Sequence, residues 1–290
     1  MHLWQLDIRQ VGTKNVKNKP ARHSIQTPEP VINDYSDAHT AHGNLFEQPA
    51  GRPTSKALYL QVKEHLIRRV LAGEWRPGAC LPSEMKLAEG YELSQGTVRK
   101  AIEEMAVEGL VTRHPGRGTF VSTHREDNQS SRFRRFYSNE GARIAGSDSI
   151  YISCQKANAD AQTAAFLKIS TNSEVAKIVR VRHLKGQPVL LETIMLNRDL
   201  CPEAELMFEQ KKPSSIYLAL EQTYHILITK VVERLRARTA SQDEQELLGL
   251  APNSPVLEVK RLSYSLGCEC VEYRIFVCGS NDIHYWNEAG

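Results

Sequence analysis

A chain of 290 residues, 41% of them hydrophobic, is long enough to bury two cores of ordinary domain size. Its net charge of +3 neither demands nor excludes nucleic acid, so a local basic patch is more informative than the total. No apolar run approaches the roughly 20 residues of a membrane span, and the first residues lack the charged-then-apolar pattern of a secretory signal, so a cytoplasmic protein is expected.

Residues 1–55 mix His, Asn, Thr, Pro and charges with little periodicity, and read as a disordered extension. From Ala57 the pattern changes. Tyr59, Val62, Leu66 and Val70, flanked by Ile67 and Leu71, recur at the spacing of an amphipathic helix that Gly73 ends. Leu81-Pro82-Ser83-Glu84 then starts a short second helix running to about Tyr91, with Ser83 as its cap. Ser94 caps a third, whose buried face is Val98, Ala101, Ile102 and Met105 and whose N-terminal end carries Gln95, Arg99 and Lys100. Residues 110–113 and 119–122 alternate as two strands around the tip His114-Pro115-Gly116-Arg117-Gly118, where the glycines permit a tight turn. Helix, turn and helix followed by a wing is a shape that places the third helix in a major groove and Arg117 in a minor groove. A helical module that binds only protein is the alternative for the same order of elements.

These residues resemble the winged helix-turn-helix of the GntR family of bacterial transcription regulators. The resemblance rests on Leu81-Pro82-Ser83-Glu84 with Leu87-Ala88, on Ser94-Gln95-Gly96-Thr97-Val98-Arg99-Lys100-Ala101, on Glu108-Gly109-Leu110-Val111, and on Gly116-Arg117-Gly118-Thr119-Phe120-Val121. It implies a double-stranded DNA operator contacted by Ser83, Lys86, Ser94, Gln95, Thr97, Arg99, Lys100, Arg113, Gly116, Arg117 and Gly118. The family often has arginine after Pro-Ser-Glu and again after the capping serine, where this chain has Met85 and Gln95; Arg99 keeps the third. Two fewer cations lower phosphate affinity and flatten its salt dependence unless Lys86 and Lys100 compensate. The Gln95 amide suits adenine.

Residues 124–145, rich in Arg, Ser and Asn, read as a linker, with Arg132, Arg134 and Arg135 either a solvated charge run or phosphate contacts. Beyond it, residues 176–183 and 189–196 read as paired strands joined at hairpin length by Lys185-Gly186-Gln187-Pro188. Residues 215–223 look helical and 227–238 extended. Ser241 with Glu244 forms a capping box opening a helix to Leu248. Residues 256–265 and 270–278 form a last hairpin about Gly267. Consecutive antiparallel strands with helices laid on one side indicate an α+β sandwich. The six cysteines are scattered and read as buried hydrophobes. Cys268 and Cys270 are a weak metal signal, and no metal or cofactor is expected.

Alternation puts Arg180 and Arg182 on one face of the first hairpin, and the turn brings Glu192 roughly across from Arg180. Two guanidiniums on an otherwise apolar face are either a structural ion pair at a sheet edge or an anion pocket. Here the segment 147–285 resembles the UTRA effector-binding domain of the HutC-type branch of the GntR family. The matching residues are Arg180-x-Arg182, Gly186-x-Pro188 and Glu192, then Ser215-Ile216-Tyr217, Leu247-Leu248-Gly249-Leu250, and Val271-Glu272-Tyr273. The resemblance implies a chorismate lyase-like fold and an effector site made of Arg180, Arg182, Glu192, Ser215, Tyr217 and Glu272. The family's Arg-Gly-Asp-Arg-Tyr tail is replaced by Gly279-Ser280-Asn281-Asp282-Ile283-His284-Tyr285, which leaves the closing side of the site open to question.

The combined expectation is a repressor that binds a palindromic operator as a homodimer and is released by a small organic acid or phosphosugar. Effector binding is expected to order the Arg180 strand and change the spacing of the wings through the linker. An enzyme of chorismate lyase-like fold and a protein-binding adaptor are the alternatives. The chain has no phosphate-binding Gly-x-x-x-x-Gly-Lys loop, zinc-binding His-Glu-x-x-His or Gly-x-Ser-x-Gly elbow, so catalysis has no named residues.

Overall fold

The computed structural model describes residues 57–125, 133–144, 149–279 and 283–287. The extension expected over 1–55 lies outside them. Three helices open the described chain: α1 (Leu58–Leu71), α2 (Glu84–Tyr91) and α3 (Gln95–Val107). Both short helices start where the serines predict, the Ser83 hydroxyl accepting from Lys86 N at 3.3 Å and Ser94 from Thr97 N at 3.2 Å. Each bond satisfies an orphan amide of the first turn. Val62 and Leu66 of α1 meet Leu87, Ala88, Val98, Ala101, Ile102 and Met105 in one core. The wing is β1 (Val111–His114) and β2 (Gly118–Val121), one residue later than expected at β1 and one residue earlier at β2. Gly118 has φ +115, and a Cβ there would sit 3.2 Å from Cys80 Sγ, so the wing closes only over a glycine.

The second part of the chain is built on one antiparallel six-stranded sheet in the order β4-β5-β6-β9-β8-β7. Its strands are β4 (Ser149–Asn158), β5 (Glu174–Leu184), β6 (Gln187–Asn197), β7 (Ile228–Thr239), β8 (Pro255–Ser265) and β9 (Cys270–Cys278). The β5–β6 turn needs positive φ at Lys185 (52°) and Gly186 (80°), which matches a two-residue hairpin. The helices do not lie on one side. On one face α5 (Ala204–Lys211) and α6 (Ile216–Tyr224) bury Phe208, Ile216 and Leu220 against Ile178, Ile194 and Leu196. On the other, α7 (Gln242–Leu248) packs Leu248 on Val181 and Val277, and α4 (Ala161–Leu167) sets Phe166 edge-on to Tyr273 at 4.8 Å. The interior strands are buried on both faces, and each face needs cover. The capping box of Ser241 and Glu244 is formed.

Residues 133–144, within the span expected as a linker, are packed into this second part. Phe133, Phe136 and Ile144 are buried, and β3 (Phe136–Ser138) pairs with β10 (Ile283–Tyr285). The reason lies in the aromatics: three rings among the arginines supply apolar area that a solvated run lacks. Cys268 sits at positive φ (64°) in the β8–β9 turn and is exposed, while Cys270 opens β9 and is buried, so the two thiols stand in different environments.

Leu66 is fully buried at the centre of the winged core. Leu66→Ala is expected to cost about 2–5 kcal/mol, read as a fall in the denaturant midpoint of the full chain; a change within error would mean that α1 is not held by this contact.

Candidate DNA face and buried arginine pocket

The N-terminal ends of α2 and α3 and the wing share one exposed, cationic surface. Glu84 ties it together: its carboxylate accepts from Arg99 Nε at 2.9 Å and from Arg113 Nη2 at 2.7 Å. This fixes α2, α3 and the wing relative to one another and holds both guanidiniums in place. Lys100 Nζ lies 4.2 Å from the Tyr59 ring centroid. Lys86, Gln95, Arg117 and the glycines Gly116 and Gly118 are exposed. Thr97 is half-buried, its hydroxyl 2.9 Å from Ser94 Oγ. The serine hydroxyls Ser83 and Ser94 serve as helix caps.

The second site is made by sheet register. Strand β5 places Arg180 directly opposite Glu192 on β6, and β6 in turn lies beside β9, which carries Glu272 and Arg274. β8 sets Arg261 opposite Arg274 and Ser263 opposite Glu272. Glu192 is fully buried and is held by three guanidiniums: Arg180 through Nε, Arg182 through Nε at 3.0 Å and Nη2 at 2.9 Å, and Arg274 through Nη1 at 3.0 Å. Glu272 accepts from Arg274 and, at 2.9 Å, from Ser263 Oγ, which is 2.8 Å from Tyr217 Oη. Arg261 reaches Glu233 at 2.8 Å and the Phe133 carbonyl at 2.6 Å. Tyr285 Oη donates to Glu233 at 2.5 Å. Residues 133–136, joined through β3 to β10 of the altered tail, line one side of the space beside Arg180.

These groups wall a cavity of about 40 Å³ lined by Arg134, Arg135, Arg180, Arg182, Ser215 and Tyr217 among others. Of the sequence-predicted effector residues, Arg180, Arg182, Ser215 and Tyr217 line it, whereas Glu192 and Glu272 do not and instead hold the lining arginines from behind. Arg182 and Arg180 belong to an interior strand, not to a sheet edge, because β4 covers β5. Sequence reasoning missed Arg261, Arg274 and Ser263 and the approach of Arg134 and Arg135. A signal for Arg274 existed: it lies two residues from Glu272, hence on the same strand face. Ser215 Oγ also accepts from Leu218 N, capping α6.

Electrostatics decide what this arrangement can hold. Burial works against the Glu192 carboxylate, yet Arg180, Arg182 and Arg274 outweigh it and hold the group well below the usual carboxylate range. Burial brings Arg182 down to about 10, with Glu192 opposing and Arg180 and Arg274 adding to the fall. Four buried guanidiniums (Arg180, Arg182, Arg261, Arg274) face three carboxylates (Glu192, Glu233, Glu272), which leaves positive charge in excess. Among the described residues Arg180 Nη2 and Arg135 Nε are buried without a hydrogen-bond partner. Such donors cost free energy until an acceptor meets them.

The comparisons with known proteins bear on the two domains that carry these groups. Residues 58–121 match the model of the bacterial regulatory proteins of the gntR family, and residues 146–284 match the UTRA domain. The transcriptional repressor NagR of Bacillus subtilis is 32% identical over 207 residues, covering 71% of this chain and 84% of its own length. The chain belongs to the GntR family. The histidine utilization repressor of Klebsiella aerogenes is 24% identical, with 76% of this chain and 88% of that protein covered. Among solved structures, the ligand-binding domain of a GntR-family transcriptional regulator from Bordetella bronchiseptica superposes with a TM-score of 0.49 at 27% identity, covering 55% of this chain and 97% of that one. As a GntR-family member of the HutC type, the protein is a DNA-binding, ligand-responsive transcriptional repressor with its winged domain first and its UTRA domain second. Among the described residues no helix is long and apolar enough to cross a membrane.

Glu192→Gln leaves three guanidiniums facing one another, and is expected to destabilise the GntR-family fold by about 3–5 kcal/mol, the cost of breaking a buried pair. The lowered pKa of Glu192 means that its contribution is complete at neutral pH and is lost progressively as pH falls from the ordinary carboxylate range through its low folded value. The melting temperature of the variant should therefore be lower at pH 7 and converge on that of the wild type in strong acid. An unchanged melting temperature at pH 7 would remove Glu192 from the list of structural anchors.

Proposed function

We propose that this repressor binds a palindromic operator as a homodimer and leaves it when a small organic anion, a carboxylate or a phosphosugar, enters the arginine cavity. One observation carries the reading: the fully buried Arg180 guanidinium keeps an unpartnered Nη2 at a cavity whose wall has more guanidiniums than carboxylates. An anion supplies both the missing acceptor and the missing charge, and the planar fork of arginine binds it in two places. The two-fold operator follows from symmetry, since two identical winged domains match two equivalent half-sites. Ser83, Lys86, Ser94, Gln95, Thr97, Arg99, Lys100, Arg113 and the tip Gly116-Arg117-Gly118 are the proposed DNA contacts, with Arg180, Arg182, Glu192, Ser215, Tyr217 and Glu272 for the effector.

The cavity's size supports a mechanical link between the sites. The space among the guanidiniums is small, about 40 Å³, so an effector seated against Arg180 would press on the surrounding wall. Ser215 and Tyr217 at the start of α6 are part of that wall. At the far end of the same helix, buried Glu221 accepts from Thr123 Oγ1 at 2.5 Å and from His124 N at 2.6 Å, just after the wing. The His124 ring lies 5.5 Å from that of Tyr217. A displaced α6 moves the chain that leaves β2, and the effector shifts the equilibrium by as much as it prefers the displaced arrangement.

Binding alone is proposed, without turnover: each carboxylate in the cluster is held by guanidiniums, which leaves no free general base. Product formation from any anion incubated with the protein would favour the enzyme reading.

Arg180→Ala should retain operator binding in a mobility shift and lose both the thermal stabilisation by a panel of carboxylates and phosphosugars and their release of DNA, whereas Arg99→Ala should lose the shift itself. If Arg180→Ala abolished DNA binding as well, two separable sites would be ruled out. Glu221→Gln should keep operator and effector affinity but cut the effector's influence on DNA binding, a coupling typically worth about 5–150-fold; undiminished coupling would exclude the α6 route.

A further inference from the structure

The cationic face at the ends of α2 and α3 carries an exposed apolar side chain in the first turn of α2. Met85, in the first turn of α2, is 59% exposed, while Leu87 and Ala88 of the same helix are in the winged core and Met85 is not. Its neighbours Ser83, Lys86 and Glu84 are polar, and Glu84 is the residue that ties this turn to Arg99 on α3 and Arg113 on the wing. Met85 therefore sits in a turn whose position relative to α3 and the wing is fixed, and Gln95 is the exposed first residue of α3. The fold makes no use of the thioether, and its placement among cations exposes it to the same surface that the phosphates and bases would occupy.

A major groove offers such a side chain one apolar partner, the thymine 5-methyl group, and offers a glutamine amide one bidentate partner, adenine through N6 and N7. A cation at either place would instead take the O6 and N7 of guanine. We propose that Met85 and Gln95 are specificity-determining residues that select A·T pairs in each operator half-site, Met85 against a thymine methyl and Gln95 on adenine. Lys86, Arg99 and Lys100 then hold the phosphates and carry affinity without sequence preference. Met85 reads without charge, so its contribution is independent of salt, unlike theirs.

Selection from a random duplex pool by the full chain tests this. The wild type should enrich a half-site with A·T at the position where Met85→Arg enriches G·C. In the selected duplex, replacing that thymine by deoxyuridine removes only the methyl group; wild-type affinity should fall about fourfold, the worth of one buried methyl-sized group. Met85→Ala should bind the two duplexes equally, with an unchanged melting temperature because the side chain is exposed. If Met85→Ala selects the same bases and responds to deoxyuridine at each thymine as the wild type does, Met85 is not a reader and the proposal fails. Gln95→Ala should lose the preference for adenine, and retention of that preference would equally overturn it.

Discussion

Glu192 is the constraint on which the UTRA domain turns. A carboxylate with no solvent exposure is tolerable only if it is paired and hydrogen-bonded, and here guanidiniums from β5 and β9 converge on it from either side of β6. Once those arginines are committed, Arg274 requires Glu272, and Glu272 takes up Ser263 and through it Tyr217. The network joins four adjacent strands and the first turn of α6, so sheet register and the arginine cavity are the same structure. Its charge imbalance is the chemical identity of the site.

Separately, a carboxylate organises the DNA face. Glu84 is half-buried and exposed to solvent screening, so its pairs with Arg99 and Arg113 contribute little stability. Their value is geometric: two long cationic side chains on different elements are held in place, which lowers the ordering cost of the DNA contacts proposed for them. The two carboxylates thus play different parts, Glu192 holding a fold and Glu84 arranging a surface. A third hydrogen-bonded carboxylate, Glu221 on α6, joins the chain leaving the wing to the second domain.

The winged domain was legible almost residue by residue, because its signals are local: Ser83 and Ser94 cap helices through bonds to amides three residues on, and Val98, Ala101, Ile102 and Met105 form a helical stripe. The β5–β6 hairpin was legible for the same reason, its short turn setting the Arg180–Glu192 register. β4 was not, because as an edge strand it is half-exposed along its length and lacks the strong alternation of a covered one. The packing of 133–144 was hidden too: Phe133 and Phe136 are buried by β10 and α6, which lie far along the chain.

Taken by itself, the order of residues determined the capped helices, the glycine-tipped wing, the arginine pair and its facing glutamate, since each follows from backbone chemistry within a few residues. Only the tertiary structure decided that Arg261, Arg274, Arg134 and Arg135 join that pair, that helices cover both sheet faces, and that Glu221 reaches the chain leaving the wing. Those facts depend on which strands become neighbours and what surface is left to cover, and burial of charge is settled by the assembled sheet, where desolvation and pairing are felt together.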